Sequence, residues 1–199
     1  RYYQVYADVL RELGFEPLDW NNYRQHKRTL KSEKSILEFS KAEEVFEKYY
    51  TIRTRRMETH QYMEKDSLWP ELIPVLPQIA RTHHLTLVTL RMDESALKWE
   101  LEHLGIAEAF YLVLHPKTGF DTPITPATKI SIMRENFGQK KLEGWIVGDT
   151  DVDILTGKAT GLSTAAVSFG LQDASLLEEL NPDKMFHTPE ELAIWLLSL

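Results

Sequence analysis

The 199-residue chain contains no cysteine. That excludes a disulfide framework, a thiolate nucleophile and any zinc site built on cysteine. No run of about 18 apolar residues occurs, so no segment reads as a membrane-spanning helix. The first residues, RYYQVYADVL, read as a helix rather than a secretory signal, and a cytoplasmic location is expected. Positive charge is scarce. Lys plus Arg is 23 against 30 for Asp plus Glu, a net charge of −7. A protein whose task is to hold nucleic acid is therefore not expected. What remains is ordinary globular composition, 43% hydrophobic and 27% charged. The length suits one larger domain, or a core with a smaller insert.

Glycine is scarce at one end, with Gly14 alone among residues 1–65, where seven of the eight tyrosines lie. No alternating β pattern occurs there, and residues 1–66 read as a helical domain. Tyr3, Tyr6, Val9 and Leu10 share one helical face over residues 3–13, and Gly14 suits a left-handed stop. Asp19 is placed to cap a helix through Trp20, Tyr23 and His26, and Ser32 opens another. Residues 41–64 read as one long helix carrying Val45, Tyr49, Ile52 and Met57. From residue 67 to 199 the rhythm changes. Helix is predicted over 72–80, 93–104, 127–137, 151–160, 173–179 and 189–198. Apolar, β-branched runs at 84–90, 110–114, 144–148, 163–168 and 184–186 read as strands. This alternation predicts an α/β fold with a doubly wound, mostly parallel, Rossmann-like sheet. Its ligand belongs outside the carboxyl ends of the strands.

Those strand ends carry polar groups. Thr89 and Arg91 follow the first strand, and Lys129 opens the helix after the second. Asp149, Thr150, Asp151 and Asp153 follow the third. Three aspartates within five positions repel one another. Helix capping accounts for one or two of them. A hard divalent cation accounts for the set better, because Mg²⁺ takes oxygen ligands and keeps one or two protein carboxylates beside a substrate phosphate. Asp149 is the expected ligand, Asp153 is one turn on and supports it, and Asp151 is expected to face solvent. His83 and His84 precede a strand, at its amino end, and are not expected to bind metal.

The pattern resembles the haloacid dehalogenase superfamily, in its phosphoglycolate phosphatase-like branch with a helical cap. Residues 144–170, GWIVGDTDVDILTGKATGLSTAAVSFG, carry the strongest likeness, a GDxxxD followed by a Lys-Ala-x-Gly helix end. Residues 85–106, LTLVTLRMDESALKWELEHLGI, are similar to the family's second motif, and TPATKISIMRENFG to the region of its third. The resemblance implies a phosphate monoester as substrate, an aspartyl-phosphate intermediate and Mg²⁺ as cofactor. It further implies that Asp149 and Asp153 serve the metal, Asp153 alternatively orienting the lysine. Thr89 would donate to a phosphate oxygen, and Lys129 would pair with the phosphate or the nucleophile. Residues 1–66 would form the cap. There Arg24, Lys27 or Arg28 are the candidates to meet a second anionic group, although a solvated face is the commoner state of such charges.

Two departures stand out. The family's lysine usually precedes a proline. Here that neighbourhood reads Asp121-Thr122-Pro123, so Lys129 is preferred over Lys117. The family's first motif, DxDx(T/V), which carries the nucleophile, does not occur in residues 1–199. It is expected upstream of Arg1, on a strand central to the sheet, without which neighbouring strands keep unpaired edges. The alternative is a non-catalytic, degenerate member that binds without turnover. Neither the phosphorylated metabolite nor the oligomeric state is readable.

Overall fold

The computed structural model describes residues 1–29, 32–117 and 123–199. They divide into two compact units, Arg1–Ser67 and Leu68–Leu199.

The first unit is helical. It comprises α1 (Tyr2–Glu12), α2 (Trp20–Thr29), α3 (Glu33–Phe39), α4 (Phe46–Arg56) and α5 (His60–Met63). The left-handed residue after α1 is Gly14, at φ +87°. Asp19 Oδ1 accepts from the Asn22 N–H at 3.0 Å. Ser32 caps α3 by accepting from the Ser35 N–H. Apolar positions at helical spacing converge on one core, with Val5, Val9, Leu10, Ile36 and Leu37 around the rings of Tyr6, Tyr23 and Tyr49. Burial of each such side chain is worth about 1.5–3 kcal/mol. Beside this core lies a buried ionic group. Glu33 meets Arg53 at 3.1 Å and also pairs with Lys27. The long helix predicted over 41–64 does not form. A 3-10 turn at Glu43–Val45 precedes α4, and Thr59 takes extended backbone before α5. The break falls where Arg53, Arg55 and Arg56 crowd the last turn of α4, a placement favoured at a helix C-terminus.

The second unit alternates helix and strand. In order it comprises α6 (Val75–Ile79), β1 (Thr86–Val88), α7 (Glu94–His103), β2 (Leu112–Leu114), α8 (Pro126–Phe137) and β3 (Trp145–Gly148). It continues with α9 (Asp151–Thr160), β4 (Ser163–Val167), α10 (Ala174–Glu178), β5 (Lys184–Phe186) and α11 (Pro189–Leu196). α6 is shorter than the expected 72–80, because Pro74 fixes its start. All strand pairs are parallel, and helices cover both faces. Ile154 of α9 and Leu177 of α10 pack on Ala166. On the opposite face Ala165 and Val167 pack with Phe186 and with Leu192 and Trp195 of α11. The fold is α/β, as the alternation predicts.

The strands lie in two pieces, β1-β2 and β3-β4-β5. Among the described residues β1 pairs with β2 alone and β3 with β4 alone, so each keeps one edge without a ladder partner. The burial follows. Four of the five β4 residues are buried, whereas no β3 residue is, and Val147 is 39% exposed. An apolar strand that neighbours leave half covered is an unfinished environment.

Candidate active site

The carboxyl ends of β1 and β3 and the amino end of α8 carry the residues of interest. Thr89 directly follows β1, where its N–H donates to the Leu114 carbonyl at 2.9 Å. Its hydroxyl accepts from the Arg91 N–H at 3.3 Å. The Arg91 guanidinium turns into the unit, 2.8 Å from the buried carboxylate of Glu100 on α7. That engagement ties Arg91 to α7 through one of its nitrogens.

Lys129 sits in the first turn of α8, which starts sharply because Thr125 caps it and Pro126 occupies its first position. Its ammonium is buried, at 8% exposure, and pairs with Asp153 Oδ1. Lys117 takes another direction, 3.0 Å from His115 Nε2 and 3.6 Å from Glu94. Asp121 and Thr122 lie outside the described residues.

The Asp run after β3 divides its labour. Asp153 caps α9 in a reciprocal box. Its Oδ2 accepts from the Thr150 N–H at 3.2 Å and from the Thr150 hydroxyl at 2.7 Å. Both its oxygens are thereby engaged, one by Thr150 and one by Lys129. Gly148 makes this possible, since a Cβ there would overlap the Asp153 carboxylate. Asp149 is half-buried beside the loop after β4. Its Oδ2 accepts from the Leu171 N–H at 2.8 Å, and its carbonyl from the Gln172 N–H at 3.2 Å. A Cβ at Gly170 would overlap the Asp149 carboxylate. Asp151, expected in solvent, is instead held by Gln172. The Asp151 N–H donates to Gln172 Oε1 at 2.7 Å, and Gln172 Nε2 donates to Asp151 Oδ1 at 2.8 Å.

Burial pushes the Asp149 carboxyl above the usual carboxylate range. The Leu171 N–H opposes the rise and the neighbouring Asp153 charge adds to it. A cation beside Asp149 would relieve that penalty. No cluster of three or more His, Cys, Asp or Glu that could hold a metal occurs among the described residues. The donors present therefore do not make an all-protein cage. They fit a hydrated Mg²⁺ held by one carboxylate, with the remaining positions for water and substrate oxygens.

Geometry thus joins Asp149, Asp153 and Lys129 at one place, with Thr89 at the end of β1. Arg24 stands exposed on α2 in the other unit, and Lys27 is committed to Glu33. Sequence reasoning named Thr150 without giving it a role and missed Leu171 and Gln172. The one available signal was Gly170, which lies at the close approach to Asp149.

Comparison with known proteins bears on the fold and the family. The chain is 26% identical over 137 residues to pyrophosphatase PpaX of Halalkalibacterium halodurans. The match covers 67% of this chain and 63% of that protein, less than two thirds of its length. A haloacid dehalogenase-like hydrolase from Streptococcus pneumoniae superposes with a TM-score of 0.78 at 19% identity, covering 98% of this chain and 89% of that one. A predicted phosphatase from Clostridium acetobutylicum gives 0.76 at 17% identity, covering 100% and 91%. At such identities these structures share the fold. The family model of the haloacid dehalogenase-like hydrolases matches residues 2–167. The chain belongs to that family.

Proposed function

We propose that the protein is a Mg²⁺-dependent phosphatase of small phosphate monoesters, working through an aspartyl-phosphate. The observation that carries the reading is the half-buried Asp149 beside the buried Lys129–Asp153 pair, at the carboxyl ends of parallel strands. Asp149 would hold the metal directly. When bound, Mg²⁺ would neutralise charge between an anionic nucleophile and an anionic substrate. Asp153 orients Lys129, since both its oxygens are already engaged. Lys129 supplies a fixed positive charge to the phosphoryl oxygens, and the Thr89 hydroxyl donates to one of them.

The nucleophile belongs, in this reading, to a DxDx(T/V) segment on a strand between β1 and β3. Each of these keeps one unpaired edge among the described residues, as neighbours of such a strand would. The helical unit would act as the cap that selects the substrate, with Arg24 a candidate contact. PpaX is named a pyrophosphatase, so pyrophosphate belongs in a substrate panel beside phosphoglycolate and sugar phosphates. A cytoplasmic location accords with small phosphorylated metabolites as substrates, and no helix among the described residues is long and apolar enough to cross a membrane.

The test is turnover of p-nitrophenyl phosphate by the full-length gene product. Activity should need Mg²⁺, vanish with a chelator and return on adding the metal. Asp149→Ala should lower kcat by about a hundredfold or more. Full activity in Asp149→Ala would refute the metal assignment. Phosphate binding without turnover in the full-length protein would favour the non-catalytic alternative.

A further inference from the structure

A second concave site lies at the other end of β3. The C-terminal turns of α8 and α9 and the loop between α8 and β3 line a half-open hollow of about 270 Å³. Its lining includes Arg134, Lys140, Lys141 and Lys158 and no acidic residue. In a chain of net charge −7 such a grouping calls for a reason.

The ordinary reason is that cations complement helix C-termini. Each helix end carries about half a negative charge, so the two ends together balance about one cation. Four are present. Lys158 is accounted for, since it donates to the Leu180 carbonyl. Arg134, Lys140 and Lys141 have no carboxylate within ion-pair distance among the described residues. With Lys158 taken as the one cation those helix ends balance, the surplus is about three positive charges in one concavity.

The walls are fixed. The Leu142 N–H donates to the Thr160 carbonyl at 3.1 Å, which ties the loop to the end of α9. Gly161 is left-handed, at φ +84°, and a Cβ there would overlap the Lys141 stem. The bare glycine lets that stem lie across the helix end, which holds Lys141 along the cavity wall.

We infer that this cavity binds a compact, multiply charged phosphate anion of the condensed-phosphate class. The volume sets the size. It lies just below the range of about 300–1,000 Å³ typical of small-molecule sites, so a short phosphate chain fits better than a whole nucleotide. The site is separate from the candidate active site. Asp149 follows β3 and the cavity precedes it, about 10 Å or more of strand apart at about 3.3 Å per residue. The inference does not depend on the phosphatase reading.

Calorimetric titration of the full-length protein tests it, in the Asp149→Asn form and without divalent cation, so that the candidate active site is disabled. The probes are tripolyphosphate, orthophosphate and sulfate. Tripolyphosphate should bind one per chain, about tenfold or more tighter than sulfate, a gap of about 1.4 kcal/mol. Lys140→Ala/Lys141→Ala should weaken it about tenfold or more, whereas Lys140→Arg/Lys141→Arg should retain it. Lys140 and Lys141 are exposed, so both variants should stay folded, with at most a small drop in thermal unfolding for the alanine pair from the lost helix-end charges. The same pair of titrations in the unsubstituted protein guards against a misfolded background. Binding no tighter than sulfate, or binding indifferent to Lys140→Ala/Lys141→Ala, would overturn the inference.

Discussion

Asp149 and Asp153 stand one turn apart in one motif, in different environments. Asp153 is buried but fully engaged, by Lys129 on one oxygen and Thr150 on the other. Asp149 is half-buried with the Leu171 N–H on Oδ2 and, among the described residues, no cationic side chain bonded to it, and desolvation raises its carboxyl. The first arrangement suits a residue that positions a lysine, the second a residue that awaits a cation. Lys129→Met should therefore cost stability as well as activity, by about 3–5 kcal/mol, because it leaves the Asp153 charge unpaired inside the protein. Urea unfolding measures this, and Lys129→Met/Asp153→Leu should recover part of the stability without recovering turnover. Gly148→Ala should cost about 1–3 kcal/mol, because its methyl would displace the Asp153 carboxylate, and should lower kcat more than it raises KM.

At the scale of elements, capping decides where the candidate active site begins. Thr125 and Pro126 start α8 one turn before Lys129, and Thr150 starts α9 immediately after Asp149. Thr150→Ala should destabilise the protein by about 1 kcal/mol and loosen Asp153, which loses its hydroxyl donor. A chemical-denaturation series reads the first effect, and weakened Mg²⁺ response of the full-length enzyme reads the second. The departures from the expected elements have local causes too. Periodicity alone cannot mark a stop inside 41–64, where the apolar spacing continues. The extended backbone of Thr59 and the arginine-rich end of α4 break it. The strands were legible from their β-branched runs, but their pairing was not, because a run of apolar residues does not name its neighbour.

At the scale of the whole molecule, the two units draw on different physics. The unit Leu68–Leu199 rests on a parallel sheet covered on both faces. The unit Arg1–Ser67 rests on a tyrosine-rich helical core with a buried acid. Burial alone would raise the Glu33 carboxyl, but Arg53 and Lys27 outweigh it and hold it below the ordinary range. A lowered folded value means stability that is present above the unfolded value, about pH 4.3, and lost as pH falls through the folded one. Acid unfolding of this unit should therefore set in below about pH 4. Glu33→Gln should flatten that dependence, and should cost about 3–5 kcal/mol at neutral pH by leaving Arg53 and Lys27 unpaired. Circular dichroism against pH, for both proteins, checks it.

The sequence by itself determined the α/β alternation, the helical character of residues 1–66 and the residue types of the site. These are local matters. Period, cap residues and charge spacing act within a few positions of the chain, and Asp149, Asp153, Lys129 and Thr89 follow from them. Tertiary structure alone decided their surroundings. The loop after β4 reaches back to Asp149 and Asp151 through Leu171 and Gln172, some twenty positions away. It was contact across that distance that half-covered Asp149 and held Asp151 to Gln172, while a nearer contact, with Glu100 on α7, drew in Arg91. The opening scarcity of positive charge gains its meaning the same way. Folding gathers four of the cations around one cavity, while a linear count records only their deficit.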